Sequence, residues 1–513
     1  MVGSVHRGKS EADTVLHHAA ADAPIDVAPQ DLRNITPASP LCVDLDGTLT
    51  PSDTLVEGVL ALLGSRHLFW ALHGLLKGGR ALLKQRVAEV SLMDATLLPY
   101  NTNLLTYLQE QKRRGRRLVL VTAADASVAR SVAEHHAGLF DEVLASDGSL
   151  NLKGEAKAQA LVERFGAKQF VYIGNDATDV AIWRVAQAGI LVNASRRTAA
   201  AARLATKVEA EFRREAPIPM ALLRAMRPHQ WAKNVLVIVP VFTAHAATDL
   251  SNWISALITF VAFCATASGI YLFNDLTDLA ADRRHPRKRM RPFASGAVPL
   301  TAGFLAGAAL LCTGLLLAAL AGALLVLLLY AVLSLAYSMK LKELPLVDVF
   351  VLAALYTVRI VAGGEATGHT ISLWLICFSS FLFLSLALVK RVEELQSAAG
   401  QGKSSISRRG YTPEDAPILR GFGCASSFAA SLVLALFVQS EALQQQHYAS
   451  PALLWAVVPL VLFWQCRLWL SAARGYMHDD PIIYAARDWV SWVVALCVFI
   501  VLMAAKSVSW FGS

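Results

Sequence analysis

Charge is what this sequence has least of. Only 17% of its 513 residues are Asp, Glu, Lys or Arg, against 55% hydrophobic, whereas soluble globular chains run near a quarter charged. A wholly soluble chain is therefore excluded as the simple reading. The formal net charge is +8, but the basic residues stand beside apolar runs, which points to membrane-flanking charge and away from nucleic acid. Cysteine is sparse and scattered. Cys42, Cys264, Cys312, Cys377, Cys424, Cys466 and Cys497 form no CxxC pair and lie mostly in apolar segments, which excludes a disulfide framework and a zinc site. Also lacking are a repeat of fixed period, a low-complexity tract and a signal peptide. Residues 1–39 hold acids, His17-His18 and prolines but no hydrophobic segment, and read as a disordered tail.

What is there changes character near residue 218. Before it, short apolar runs alternate with polar helical patterns. Leu41–Leu45, Arg117–Val121 and Phe170–Ile173 read as buried strands with helices such as Ala156–Phe165 between them, the signature of an α/β unit with a parallel sheet. Residues 54–98 read as a helical insertion after the first strand, apolar enough (LFWALHGLLKGGRALL) to be a packed cap or to lean on a membrane. Residues 209–218 read as a linker, and 219–513 as an all-α polytopic membrane domain. Its nine spans fall near 229–246, 253–273, 300–319, 321–338, 345–363, 371–389, 422–440, 451–470 and 489–507. Arginines and lysines fill the loops after even-numbered spans and are absent after odd-numbered ones. That alternation places the N-terminal domain and the charged loops in the cytoplasm of a bacterial inner membrane.

Two stretches carry chemistry. The first is DLDGTLT, Asp44–Thr50, directly after a strand. A carboxylate at a strand end is placed to attack phosphorus, with Mg²⁺ screening the phosphate. A second acid two residues on, Asp46, is placed to shuttle a proton, and Gly47 permits the tight turn. The second is NDLTDLAADRRHPRKRMRPFASG, Asn274–Gly296, after the second span. Asn274, Asp275, Asp278 and Asp282 recur at helical spacing, so one face is set to hold Mg²⁺ and through it a diphosphate. Acids at a span end are costly unless they serve a site.

The first half resembles the haloacid dehalogenase phosphatase superfamily over residues 40–208. The resemblance implies a Rossmann-like fold with a helical cap near 54–98. It makes Asp44 the nucleophile, Asp46 the acid/base, Thr122 the phosphate-binding hydroxyl and Lys157 the charge-neutralising base, with Lys153 as a rival. In the loop GNDATD, Asn175 stands where the family has Asp or Ser, and Asp176 and Asp179 join Asp44 and Asp46 as Mg²⁺ candidates.

The second half resembles the UbiA prenyltransferase superfamily. RPHQWAKN, the long acidic-basic loop, YSMKLK and KRVEEL make it most similar to the decaprenyl-phosphate phosphoribosyltransferase branch. The resemblance implies Mg²⁺ on Asn274, Asp275, Asp278 and Asp282. Lys340, Lys390, Arg391 and Tyr337 would act on the reacting groups. Lys233, Asn234, Arg283, Lys288, Arg291, Arg359 and Asp348 would bind substrate. It implies phosphoribosyl diphosphate as donor and a polyprenyl phosphate as acceptor in the lipid bilayer, with the fused phosphatase removing the 5-phosphate. Prenyl transfer to an aromatic or lipid acceptor is the competing activity. Arg359, inside an apolar span, reads either as a functional group or as a packing residue paired with Glu365 or a backbone carbonyl.

Overall fold

The computed structural model describes residues 39–507 apart from 92, 148–150, 215, 245, 401–408, 444–447 and 478–479. The expected N-terminal tail, and Lys403, Arg408 and Asp479 of the charged loops, lie outside the described residues. The chain forms two compact units. One comprises the described residues up to Leu222 with Thr277–Thr301, and the other Leu223–Leu276 with the described residues from Ala302 onward.

The first unit is α/β. Its elements are β1 (Leu41–Val43), α1 (Thr54–Ala61), α2 (His67–Ser91), α3 (Thr102–Arg113), β2 (Leu118–Asp125), α4 (Ala126–His135), β3 (Glu142–Ser146), α5 (Glu155–Phe165), β4 (Val171–Gly174), α6 (Val180–Val185), β5 (Ala188–Val192), α7 (Arg196–Ala205) and β6 (Lys207–Phe212). The six strands lie in the order β3-β2-β1-β4-β5-β6, all parallel. A parallel sheet is covered on both faces, so its strands are apolar throughout. Here Leu41, Val43, Leu118 and Leu120 pack on one face, and Cys42, Val119, Val121 and Tyr172 on the other. The short β1 is central, flanked by β2 and β4, so the acids that follow it emerge at the carboxyl edge of the sheet, where open α/β sheets bind ligands.

The second unit is helical. It follows α8 (Ile218–Ala225) with a 3₁₀ stretch at Pro228–Ile238 and α9 (Val239–Thr243), then α10 (Leu250–Thr277). The intervening α11 (Leu279–Arg284) belongs to the first unit. After it come α12 (Leu300–Leu320), α13 (Leu324–Met339), α14 (Val347–Thr367), α15 (Leu373–Gly400), α16 (Ala416–Leu443), α17 (Val457–Ala473), α18 (Pro481–Arg487) and α19 (Trp489–Ser507). Among the described residues seven helices are long and apolar enough to cross a bilayer: α10, α12, α14, α15, α16, α17 with the 3₁₀ turn before it, and α19. Outward residues such as Leu305, Leu325 and Phe499 are exposed leucines and phenylalanines, as a hydrocarbon solvent permits. The protein is multi-pass.

The two other expected spans differ from a full crossing. α13 is apolar but has 16 residues. The expected first span is divided between an 11-residue 3₁₀ stretch and a 5-residue α-helix. Pro240 at the start of α9 has no N–H to continue a ladder, and Lys233 and Asn234 turn inward and are buried. This segment packs against α14 at Gly363, where a Cβ would overlap the carbonyl of Val237. Only glycine admits that backbone approach, and it brings Arg359, one turn earlier on α14, to Asn234.

Candidate active sites

In the first unit, Asp44 follows β1 and its N–H bonds the carbonyl of Ile173 at 3.0 Å. Its carboxylate receives Lys157 Nζ at 2.7 Å, with both side chains nearly sealed from solvent. Lys157, from α5, also reaches the Tyr172 hydroxyl at 3.1 Å, and that hydroxyl donates to Asp179 at 3.0 Å. Of the two lysines left open by sequence, Lys157 is the one on Asp44, while Lys153 is exposed on the cleft rim. Asp46 accepts the N–H of Thr54 at 2.9 Å. Gly47 adopts φ +77°, and a Cβ there would overlap the Asn175 side chain.

Asp179 is buried and its Oδ2 accepts the N–H groups of Asn175 and Asp176, each at 2.9 Å. It shapes the loop from within. Asp176 caps the following 3₁₀ turn and holds the Thr178 hydroxyl at 3.1 Å. Thr122 is fully buried, its hydroxyl accepting the N–H of Ala124 at 2.9 Å. Its neighbours Ala123, Ala124 and Asp125 line the cleft.

That cleft has a volume of ≈ 520 Å³ and is walled by Asp44, Asp46, Lys84, Asn175 and Asp176. Burial pushes the Asp44 carboxyl up to about 6, against the pull of Lys157, and pushes Asp46 up to about 7, with Asp53 adding to the rise. Loss of water around both carboxyls is the leading cause of the rise, and a bound cation would offset it. The donors around it are all oxygen, the set that suits Mg²⁺, so the residues present fit that ion.

Segment 277–301 of the first unit carries five more of the expected residues, Asp278, Asp282, Arg283, Lys288 and Arg291. Asp282 is buried and paired with Arg291 at 2.7 Å. Arg283, expected to bind substrate, instead forms a two-pronged pair with Glu57 of α1 at 2.7 and 2.8 Å and bonds the carbonyl of Ala294. Both side chains are buried, so this arginine is occupied within the fold. Lys288 is exposed. Asp278 stands at the N-terminus of α11, one turn before Asp282.

In the second unit, Asn274 and Asp275 sit near the end of α10. Asn274 donates to Ser338 at 2.8 Å, and buried Asp275 pairs with Arg227 at 2.5 Å. Arg227 lies 5.1 Å above the ring of Tyr271, which is also within electrostatic reach of Arg359 and Asp480. Around Asp480 stand two ammonium groups and a hydroxyl from three different segments. Lys233 reaches it at 2.7 Å, Lys390 at 3.1 Å, and the Tyr356 hydroxyl at 3.4 Å. Burial opposes ionisation of Asp480, but the two ammonium groups hold its carboxyl well below the usual range. Arg359 is buried, donates to Asn234 at 2.8 Å, to the carbonyl of Leu355 and to the Tyr330 hydroxyl at 3.2 Å, and faces the ring of Tyr330 at 4.7 Å. Glu365, weighed as its partner, is exposed.

Arg391 and Asp348 are brought to each other. They pair at 2.5 Å with no side-chain exposure on either. Asp348 also accepts from the Tyr411 hydroxyl at 2.5 Å, and Arg391 also pairs with Glu394. Lys340 is exposed and pairs with Glu343 at 3.2 Å, and Tyr337 accepts from Arg409 at 3.3 Å. Among the described residues no three His, Cys, Asp or Glu side chains converge as a ready metal cage. Asp480, Glu57 and Lys84 were not singled out as site residues by sequence, whereas Arg227 stands in RPHQWAKN beside Lys233 and Asn234. For Asp480 the available signal was an ionisable residue beside an apolar span.

A parallel sheet with acids at its carboxyl edge, joined to a bundle of apolar helices that hold buried ion pairs, defines a multi-pass membrane protein with an α/β domain in front. Residues 235–476 match the UbiA prenyltransferase family, and residues 60–184 match the haloacid dehalogenase-like hydrolases. Uncharacterized protein y4nM of Sinorhizobium fredii is 39% identical over 465 residues, 90% of this chain and 89% of that one. Nodulation protein NoeC of Azorhizobium caulinodans is 38% identical over 290 residues, 55% of this chain and 92% of that one. Decaprenyl-phosphate phosphoribosyltransferase of Mycobacterium tuberculosis is 31% identical over 290 residues, 54% of this chain and 90% of that one. The chain belongs to the UbiA prenyltransferase family, with a haloacid dehalogenase-like domain fused in front.

Proposed function

We propose that the membrane unit transfers 5-phosphoribosyl from phosphoribosyl diphosphate to a polyprenyl phosphate, and that the fused domain then hydrolyses the 5-phosphate. The observation that carries this reading is the 31% identity to the mycobacterial decaprenyl-phosphate phosphoribosyltransferase across 90% of its length. In the proposal nine segments cross a bacterial inner membrane, with α13 and the divided first segment added to the seven long helices. The N-terminal domain and charged loops then face the cytoplasm, supported by the alternation of loop charge.

In the transfer, a phosphate oxygen of the acceptor attacks the anomeric carbon of the donor. The bond from that carbon to diphosphate breaks, and diphosphate leaves. Lys233 and Lys390, paired with Asp480, would face the anionic groups in this reading, and fixed cations in a dry site stabilise developing negative charge. Asn274 and Asp275 in the second unit, and Asp278 and Asp282 in the first, each carry oxygen donors of the kind Mg²⁺ takes. Asp275 and Asp282 hold Arg227 and Arg291 in this structure.

In the hydrolysis, Asp44 attacks the phosphorus of the 5-phosphate and Asp46 gives its proton to the departing sugar hydroxyl. Asp46, with its carboxyl held near neutrality, then takes a proton from the water that cleaves the aspartyl phosphate. Lys157 orients Asp44. Mg²⁺ held by Asp44, Asp46 and the Asn175–Asp176 loop would screen the phosphate charge. Fusion raises the local concentration of the intermediate without a new contact.

The test uses the full chain in detergent with phosphoribosyl diphosphate, Mg²⁺ and decaprenyl phosphate, and weighs the lipid product. The intact protein is expected to give decaprenyl-phospho-ribose, and Asp44→Asn the same lipid still carrying its 5-phosphate. Consumption of a prenyl diphosphate with no ribose transfer would replace the reading with prenyl transfer.

A further inference from the structure

The sheet-bearing part of the first unit keeps most of its large apolar side chains inside, and those it exposes are concentrated in one place. Among described residues 39–214, seven large hydrophobics are exposed, and six of them are Leu63, Phe69, Trp70, Leu72, Leu75 and Leu76. Phe69 is 76% exposed and Leu76 84%. Phe69, Leu72 and Leu76 recur at helical spacing and share one face of α2. The opposite face is buried at Ala71 and Gly74. Such a patch on a soluble domain marks an interaction surface.

The charge around it is of one sign. Between Glu57 and Glu89 the sequence has no acid, but has Arg66, Lys77, Arg80, Lys84 and Arg86. Aromatic and leucine side chains on one face with lysine and arginine beside them is the composition of a helix lying in a bilayer interface. The bilayer is also within reach by chain connectivity. Segment Thr277–Thr301 of the first unit lies in the chain between α10 and α12, two helices long and apolar enough to cross a bilayer.

The same helix borders the phosphatase cleft. It is broken at Gly78 and Gly79, the latter at φ +64°. The second half turns back, and its Arg86 guanidinium lies 4.6 Å above the Trp70 ring and bonds the Trp70 carbonyl at 2.9 Å. Leu75 on the first half and Arg80, Leu83, Lys84 and Val87 on the second line the cleft. Lys84 is held toward it by the carbonyl of Ala123 at 2.5 Å and Asn151 at 3.0 Å. An apolar surface therefore runs from the exposed face of α2 to the rim of the catalytic cleft.

We infer that the first half of α2 docks on an anionic bilayer surface and that its apolar face leads a lipid-borne phosphate into the cleft. The docking stands on exposure and charge alone, while the delivery rests on the reading above that the phosphatase substrate is a lipid. A second copy of the chain would lack a reason for the excess of positive charge, since like charges would face each other.

The test places the photo-reactive residue p-benzoylphenylalanine at position 69 or 76 of the full chain in nanodiscs of phosphatidylglycerol and phosphatidylcholine. The control position is 113, on α3, where the arginine side chain is 76% exposed. Lipid adducts at 69 and 76 at least tenfold above those at 113 are expected. Adducts no greater than the control, or cross-linked pairs of chains in their place, would overturn the docking. This readout needs no turnover, so it survives an inactive phosphatase. Phe69→Ser with Leu76→Ser should slow release of phosphate from the nanodisc-borne lipid about tenfold and leave hydrolysis of p-nitrophenyl phosphate unchanged. Equal loss on both substrates, or on neither, would overturn the delivery.

Discussion

Replacing Asp348 with Asn removes the charge that answers Arg391 where neither side chain meets solvent. The carboxylate holds Arg391 at 2.5 Å and the Tyr411 hydroxyl at 2.5 Å, and a second guanidinium, Arg409, stands 3.7 Å away. Breaking a buried pair on one side costs about 3–5 kcal/mol, because the surviving charge stays buried without compensation. Arg391 retains Glu394, which is 26% exposed, so the lower end, about 3 kcal/mol, is the expected loss. At about 2–4 °C per kcal/mol for a large domain, melting should fall by about 6–12 °C. The assay is tryptophan-fluorescence melting of the detergent-purified chain at fixed concentration, with Asp348→Asn, Arg391→Met and the double variant. The double variant should melt above the value expected from adding the two single losses, since it leaves no orphan charge. Donor KM should stay near that of the unmodified protein. A variant that melts within about 1 °C of it while losing donor affinity would refute the argument and make Arg391 a substrate ligand.

Asp44 and Asp46 bind protons more tightly folded, at about 6 and about 7, than an unfolded Asp near 3.9. Their contribution to stability therefore falls as pH rises from about 4 to about 7. A cation replaces those protons above that window, so Mg²⁺ should raise the melting of the first unit more at pH 8 than at pH 5, and equal shifts would count against a cation site there. Gly47→Ala forces a side chain onto a positive φ and into Asn175. It should cost about 1–3 kcal/mol of backbone strain and abolish phosphate release while leaving phosphoribosyl transfer intact, measured on the same lipid extract.

Much of the α/β half could be read directly, because strand, acid and turn lie within ten residues of one another. Asp44 and Asp46 are fixed by local chain order, and Lys157 reaches Asp44 from α5, the helix before β4, which pairs with β1. Long apolar helices were equally plain. The divided first span was not, since hydropathy sums residues and ignores what Pro240 and a buried Lys233 do to the backbone. Asp480 was hidden for a different reason. Its partner Lys233 lies 247 residues away in sequence, and no local pattern announces a pair closed only by packing. Arg283 misled in the opposite sense: in a run of basic residues it looks available, and only the fold reveals Glu57.

The Glu57–Arg283 pair bears on how this protein can be made and divided. The arginine that neutralises a buried carboxylate in the first domain is synthesised 226 residues later, after the helix α10 has been translated. Translation alone leaves the early domain with an unanswered charge until that helix has emerged. A gene cut at residue 222 would release a haloacid dehalogenase-like domain lacking its own counter-ion, so separating the two units demands more than a stop codon: position 57 must change with it.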